Sequence, residues 1–171
     1  MITASTLFYT TFDTAAGWIA LMGSPAGLRR VVLPVKSRDE VIRRLGAGIS
    51  RAEKSCTYFQ DAVEQLGSYF DGNHVHFTCT LDLDGATDFQ HKVWCATGLI
   101  PYGETRSYAW VASQIGKPQA SRAVGQALGR NPLPVIIPCH RVLSSSGELG
   151  GFTGGLEMKK FLLDLERKSG S

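Results

Sequence analysis

Long apolar runs are missing from this 171-residue chain. No window stays apolar for the roughly 18 residues that a membrane span requires, and the start, "MITASTLFYTTFDT", has neither a cationic opening nor an apolar stretch of secretory length. A cytoplasmic protein with no membrane contact is therefore expected. Cysteine is scarce too: Cys56, Cys79, Cys95 and Cys139 form no C-x-x-C pair and no dense framework, which argues against a disulfide-stapled scaffold. Charge of one sign is also lacking. Lys and Arg number 18 against 15 Asp and Glu, a formal net charge of +3 that permits an anionic partner without demanding one. There is no internal repeat, low-complexity tract or long charged tail. What remains, at 43% hydrophobic residues, has the composition of an ordinary globular protein.

Residues 7–35 alternate and break like strands, "LFYTTF", "GWIALMG" and "GLRRVVLPV", with Gly17, Ser24-Pro25 and Gly27 as turn chemistry. A small antiparallel meander is expected there. "SRDEVIRRL" offers Ser37 as a helix cap before Val41, Ile42 and Leu45 at helical spacing, and "SCTYFQDAVEQLGSYFDG" repeats the helical period. "HVHFTCTLDLDG" returns to strand alternation. Beyond Gly85 the pattern becomes short helices with Gly and Pro turns, beginning with "DFQHKVWCATGLI". The boundary predicts an α/β N-terminal domain over 1–85 and a mainly helical C-terminal domain over 86–171.

"SYAWVASQIGKPQASRAVGQALGRNP" has the layout of a helix-turn-helix: Ser107 can cap the first helix, Gly116 ends it, and Pro118 opens the turn into the second. Helical hairpins of this kind also occur in proteins that bind no nucleic acid. On the second helix Ala120, Val124, Ala127 and Leu128 share one side, while Arg122 and Gln126 share the other, flanked by Ala123, Gly125 and Arg130. An arginine and a glutamine among small residues let a backbone approach a groove closely, as proteins that insert into the minor groove require. A solvated helix face is the plainer alternative.

The segment "PVIIPCHRVL", residues 134–143, sets Cys139 after Pro138 and before His140 and Arg141. The β-branched run predicts extended backbone leading into a stiffly held thiol. His140 and Arg141 are two groups that could favour the thiolate, the nucleophilic form. In an extended segment neighbouring side chains point apart, so a turn at Cys139-His140 is needed to bring them together. A histidine base also needs an orienting acceptor, and Glu166 is a candidate at the edge of a helix whose buried face is read as Met158, Phe161, Leu162 and Leu165. A buried structural cysteine remains the alternative. His74, His76 and Cys79 lie on alternate positions with no fourth ligand nearby, so no metal site is expected.

"NPLPVIIPCHRV" resembles the active-site signature of the O6-alkylguanine-DNA alkyltransferases, also called methylated-DNA–protein-cysteine methyltransferases. The likeness extends through "FQHKVWCATGLIPYGETRSYAWVASQIGKP", "SRAVGQALGRNP" and "GGFTGGLEMKKFLLDLE", in the family's order and spacing, and so covers residues 88–167. It implies a ribonuclease-H-like α/β domain followed by a helical domain with a winged helix-turn-helix. It also implies direct DNA repair: guanine is flipped from duplex DNA and its O6-alkyl group passes irreversibly to Cys139. His140 would draw the thiol proton through a water, with Glu166 orienting the ring and Asn131 holding the turn before the cysteine. Tyr108 would rotate the phosphate and contact the base, and Arg122 would fill the vacated space. The Cys139 and Val142 carbonyls would accept from the guanine amino group, Phe152 would pack on the base, and Thr153 would meet its oxygen. Ala123, Gly125, Gln126 and Arg130 would face the DNA.

The same resemblance implies no cofactor, since a donor such as S-adenosylmethionine would be redundant, and a monomer whose partner is double-stranded DNA containing O6-alkylguanine. No residue of the motif offers a way to cleave the product thioether, so each molecule should act once. The zinc site of some relatives is not carried over, because no cysteine precedes Cys56. Two other classes stay open on the residues alone. A thiol hydrolase of Cys139, His140 and Glu166 would turn over without DNA, and a non-catalytic lesion sensor would tolerate loss of Cys139.

Overall fold

The computed structural model describes residues 6–170, so the first five residues of the N-terminal reading lie outside it. The chain divides between Asp84 and Gly85 into two compact units.

In the first unit β1 (Leu7–Thr14), β2 (Gly17–Ser24) and β3 (Gly27–Val35) form the antiparallel meander, and β4 (Ala52–Lys54) adds parallel to β1, giving the order β3-β2-β1-β4. Alternation decides what each face meets. Ala20 and Met22 of β2 sit with Val32 and Val35 of β3 beneath α1 (Arg38–Arg44), which contributes Val41. Phe8, Ile19 and Leu21 take the opposite face, where Tyr58 stacks on Phe8 at 4.1 Å ahead of α2 (Gln60–Phe70). With both faces covered, Ile19 to Met22 are all buried, a continuous apolar run inside an antiparallel sheet. The Ser37 hydroxyl accepts from the Glu40 amide and caps α1, as its sequence position suggests.

"HVHFTCTLDLDG" does not form the strand its alternation predicts. It touches β3 only around Leu28, which bonds through its backbone to Thr80 and Asp82, and bridges at Leu81. Upstream, the Gln65 side chain of α2 accepts from the Thr78 amide at 3.0 Å, a donor that a strand ladder would use, and donates to the Thr78 hydroxyl at 2.7 Å.

The second unit packs α3 (Asp88–Gly98), α4 (Tyr108–Gln114) and α5 (Ser121–Gly129), with a short parallel pair of β5 (Arg106–Ser107) and β6 (Val142–Leu143) and a final α6 (Leu156–Ser169). Thr87 and Gln90 form a reciprocal capping box at the start of α3. Trp94 ties α3 to α5 by donating its indole N–H to the Ala127 carbonyl at 2.9 Å. Ser107 caps α4, and Gly116 turns the chain toward α5 at φ +72°, a left-handed conformation that glycine adopts freely.

The buried face of α6 is rotated from the one its apolar residues suggest. Phe161 is 41% exposed and Met158 and Leu165 are only partly buried, whereas Lys159, Leu162, Leu163 and Glu166 are enclosed. Two charged side chains are drawn inward because fixed polar partners await them, which apolar periodicity does not register.

Replacing Thr87 with alanine removes the hydroxyl that accepts from the Gln90 amide and leaves the reciprocal bond, from the backbone amide of residue 87 to the Gln90 side chain, in place. The expected loss is about 1 kcal/mol of unfolding free energy, read as a lower urea midpoint with the slope unchanged.

Candidate active site

The backbone before the cysteine is a compact loop rather than the extended run that its β-branched residues suggest. Val135 has φ +75°, a strained conformation for a β-branched residue, and the Ile137 amide bonds back to the Leu133 carbonyl at 2.8 Å. Asn131 holds this loop from within: its Nδ2 donates to the Ile137 carbonyl and its Oδ1 accepts from the Leu133 amide, both at 2.9 Å. Pro138, with φ −80° and ψ 61°, closes a three-residue turn in which the Cys139 amide donates to Ile137 at 2.7 Å. A single 3₁₀ turn over Cys139–Arg141 follows and leads into β6. The turn required at Cys139-His140 is therefore present.

Cys139 opens onto a cavity of about 570 Å³. Tyr108 of α4 and Arg122, Gly125 and Gln126 of α5 line one part of it, and Gly151, Phe152 and Thr153 of the loop before α6 line another. Arg122, Ala123 and Gln126 are exposed, while Val124, Ala127 and Leu128 are buried, so α5 has the two faces read from its sequence. Thr153 also donates its hydroxyl to the Gly129 carbonyl at the end of α5, at 2.8 Å. Ala123 and Arg130 are exposed without lining the cavity.

Behind the thiol lies a buried charge network. His140 Nε2 is 2.7 Å from Glu166 Oε1. Arg141 donates to the same carboxylate through Nε at 3.0 Å and Nη2 at 2.9 Å, and through Nη1 to the Ile100 carbonyl at 2.8 Å. The Gly103 amide supplies a further donor to Glu166 Oε2 at 3.1 Å. These bonds hold the Glu166 carboxyl far below the usual carboxylate range against the opposing effect of burial. Burial pushes the His140 imidazole down, so the ring is neutral near pH 7 despite the carboxylate beside it. With Glu166 accepting from Nε2–H, Nδ1 is the basic nitrogen.

Burial pushes the Cys139 thiol up, opposed by the Asn131 amide, the positive charge of Lys159 and the backbone amides of Cys139 and His140. Arg141 is thus the partner of Glu166 rather than of the thiol. Two residues that the sequence reading left out complete the surroundings. Lys159, fully buried, reaches the Val142 carbonyl at 2.8 Å, and Gly103 provides its amide to Glu166. An i, i+7 spacing from Lys159 to Glu166 on α6 was the available signal. Val142 stands behind the cavity rather than on its surface, with its carbonyl already accepting from Lys159. Among the described residues no group of three or more His, Cys, Asp or Glu is placed to hold a metal ion, and no helix is long and apolar enough to cross a membrane.

Comparison with known proteins accounts for both units. Residues 88–168 match the family described as 6-O-methylguanine DNA methyltransferase, DNA binding domain, and residues 7–83 match the ribonuclease-like domain of the same proteins. A methylated-DNA–protein-cysteine methyltransferase of Mycolicibacterium paratuberculosis is 44% identical over 94% of this chain and 92% of its own length. One from Methanosarcina barkeri is 43% identical over 95% and 99%. Among solved structures, a Mycobacterium tuberculosis protein in complex with DNA is 43% identical, with a TM-score of 0.80 over 95% of this chain and 94% of that one. The chain belongs to the methylated-DNA–protein-cysteine methyltransferase family, with its ribonuclease-like domain first and its helical DNA-binding domain second.

Glu166→Gln should leave Arg141 buried without a counter-charge and cost roughly 3–5 kcal/mol at pH 7. Because the native carboxyl is held low, its contribution is present above the unfolded value of about 4.3 and is lost as pH falls. Urea unfolding should therefore separate wild type from variant most widely at pH 7, with the gap narrowing progressively as pH falls below about 4 toward the folded pKa.

Proposed function

We propose that this protein repairs duplex DNA directly, taking an alkyl group from O6 of guanine onto the sulfur of Cys139, once per molecule. The observation that carries this reading is the single cavity shared by Cys139 and the exposed Arg122 face of α5. A nucleophile and a groove-facing helix have a common purpose only if the substrate is a base turned out of DNA. A hydrolase would have no use for that helix. Double-stranded DNA bearing O6-alkylguanine is the partner, and one chain holds every group invoked, so the working unit is a monomer, acting in the cytoplasm.

The steps follow from the positions of the groups. Arg122 enters the stack as the guanine leaves it; Ala123 and Gly125 leave little bulk between backbone and groove, and Gln126 and Arg130 lie along the DNA beside them. Tyr108 meets the turning nucleotide, Phe152 packs on the base, Thr153 faces its oxygen, and the Cys139 carbonyl accepts from its amino group, while the Val142 carbonyl is held by Lys159 behind the cavity. Neutral His140 takes the thiol proton through a water, and the resulting imidazolium is stabilised by Glu166. The sulfur bonds to the alkyl carbon as the carbon–O6 bond breaks, and that electron pair stays with guanine, which takes up one proton from water as His140 gives back the one it took from the thiol. A thioether remains on Cys139.

Cys139→Ser should bind a duplex carrying one O6-methylguanine and transfer nothing, while wild type gains one methyl group on its Cys139 peptide with matching loss from the DNA. Mass spectrometry of intact protein and peptides reads both; transfer by the variant, or an unmodified Cys139 in wild type, overturns the reading. Arg122→Ala should slow repair of duplex DNA by about 10-fold or more and change reaction with free O6-benzylguanine little, since only the duplex has a gap to fill. Equal slowing would remove that role.

A further inference from the structure

Lys159 stands outside the proton path just described, yet it is the most enclosed cation of the second unit. A lysine ammonium has three donors and is rarely fully buried without partners. Here all its partners are backbone carbonyls: Val142 on β6 at 2.8 Å, Leu149, and Gly151 at 3.4 Å. Val142 precedes the loop and the other two are in it, so one side chain from α6 fastens both ends of a chain reversal. The far side of that loop is fixed by contact. Gly150, at φ +65°, lies so close to Tyr108 that a Cβ would stand 2.6 Å from the phenol oxygen. The loop is therefore gripped between Tyr108 in front and Lys159 behind, and Gly151, Phe152 and Thr153 follow directly as cavity wall.

We infer that Lys159 is a positioning residue for the flipped base: its ammonium clamps the Val142 carbonyl and the 149–151 loop, and so sets the wall of the pocket that receives guanine. This rests on the base-transfer reading above. Lys159 touches neither the alkyl group nor the path of the thiol proton, and its charge reaches the sulfur only through space. Its loss should weaken occupancy of the pocket while leaving the reaction of a bound base nearly intact.

The clamp works only while the ammonium is charged. Burial pushes Lys159 down to about 8, with the nearby thiolate form of Cys139 opposing. Three other titratable groups face it: Tyr108, whose ring centre is 6.0 Å from Nζ on α4, and Cys139 and His140 on the 3₁₀ turn. Tyr108 and Cys139 are both pushed up by burial and His140 down, so all three stay neutral through pH 8. Lys159 is the group that changes charge there. The neutral amine keeps two donors but loses the charge that strengthened them, so the grip relaxes as pH rises.

The test is the rate of Cys139 alkylation against O6-benzylguanine concentration, for the full chain, with each preparation normalised to its titratable active sites. Lys159→Met should raise the half-saturating concentration about tenfold, as loss of charge-assisted bonds would, and change the saturated rate constant less than about threefold. Lys160→Met, an exposed neighbour, should match wild type. In wild type the half-saturating concentration should climb as pH passes from 7 to 9, and in Lys159→Met it should stay flat. A half-saturating concentration unmoved by the substitution, or a fall confined to the saturated rate, overturns the clamp. Should the variant fail to fold, a wild-type value constant from pH 7 to 9 overturns it alone. Wild type that never alkylates overturns the transfer reading itself and the clamp with it, an outcome distinct from the others.

Discussion

The second unit depends on one buried carboxylate. Glu166 accepts from His140, from two nitrogens of Arg141 and from the Gly103 amide, so a single side chain joins α6, the 3₁₀ turn that carries the cysteine, and the loop ahead of β5. Such a group is costly to desolvate, and a well-packed apolar replacement is often no less stable. What it provides instead is orientation. With Arg141 balancing its charge, Glu166 remains ionised and fixes which nitrogen of His140 is basic, and the turn cannot shift without breaking several bonds at once.

Much of the architecture is legible in the sequence because it follows local rules. The meander from 7 to 35 needs only alternation and turn residues, and the caps at Ser37 and Ser107 are visible as single hydroxyls ahead of helical periods. The two faces of α5 follow from spacing alone. Where the structure departs from expectation, a distant side chain has intervened. Gln65 occupies the Thr78 backbone and costs "HVHFTCTLDLDG" its strand, and Asn131 stabilises a loop in which Val135 takes a conformation its own preferences oppose. The face of α6 is misread for the same reason, because Lys159 and Glu166 turn inward toward carbonyls and charges contributed from elsewhere. β4, three residues long, is too short to show any period.

The candidate site divides in the same manner. Its accessible part, from Tyr108 and α5 to Cys139 and the 151–153 loop, consists mostly of residues that the spacing of α5, the Pro-Cys-His run or the family resemblance had singled out. Its hidden part, Arg141, Lys159 and the Gly103 amide, is made of groups that act on other protein groups. Sequence adjacency suggested that Arg141 serves the thiol; geometry gives it to Glu166, and the cation near the sulfur is Lys159.

Cys139 is 6% exposed and its thiol is held protonated by burial, whereas Cys56 and Cys95 lie on the surface. Peroxide and soft electrophiles attack exposed thiolates first. Cys56 and Cys95 are thus open to such reagents from solvent, while the thiol that lines the cavity is set back from them by burial.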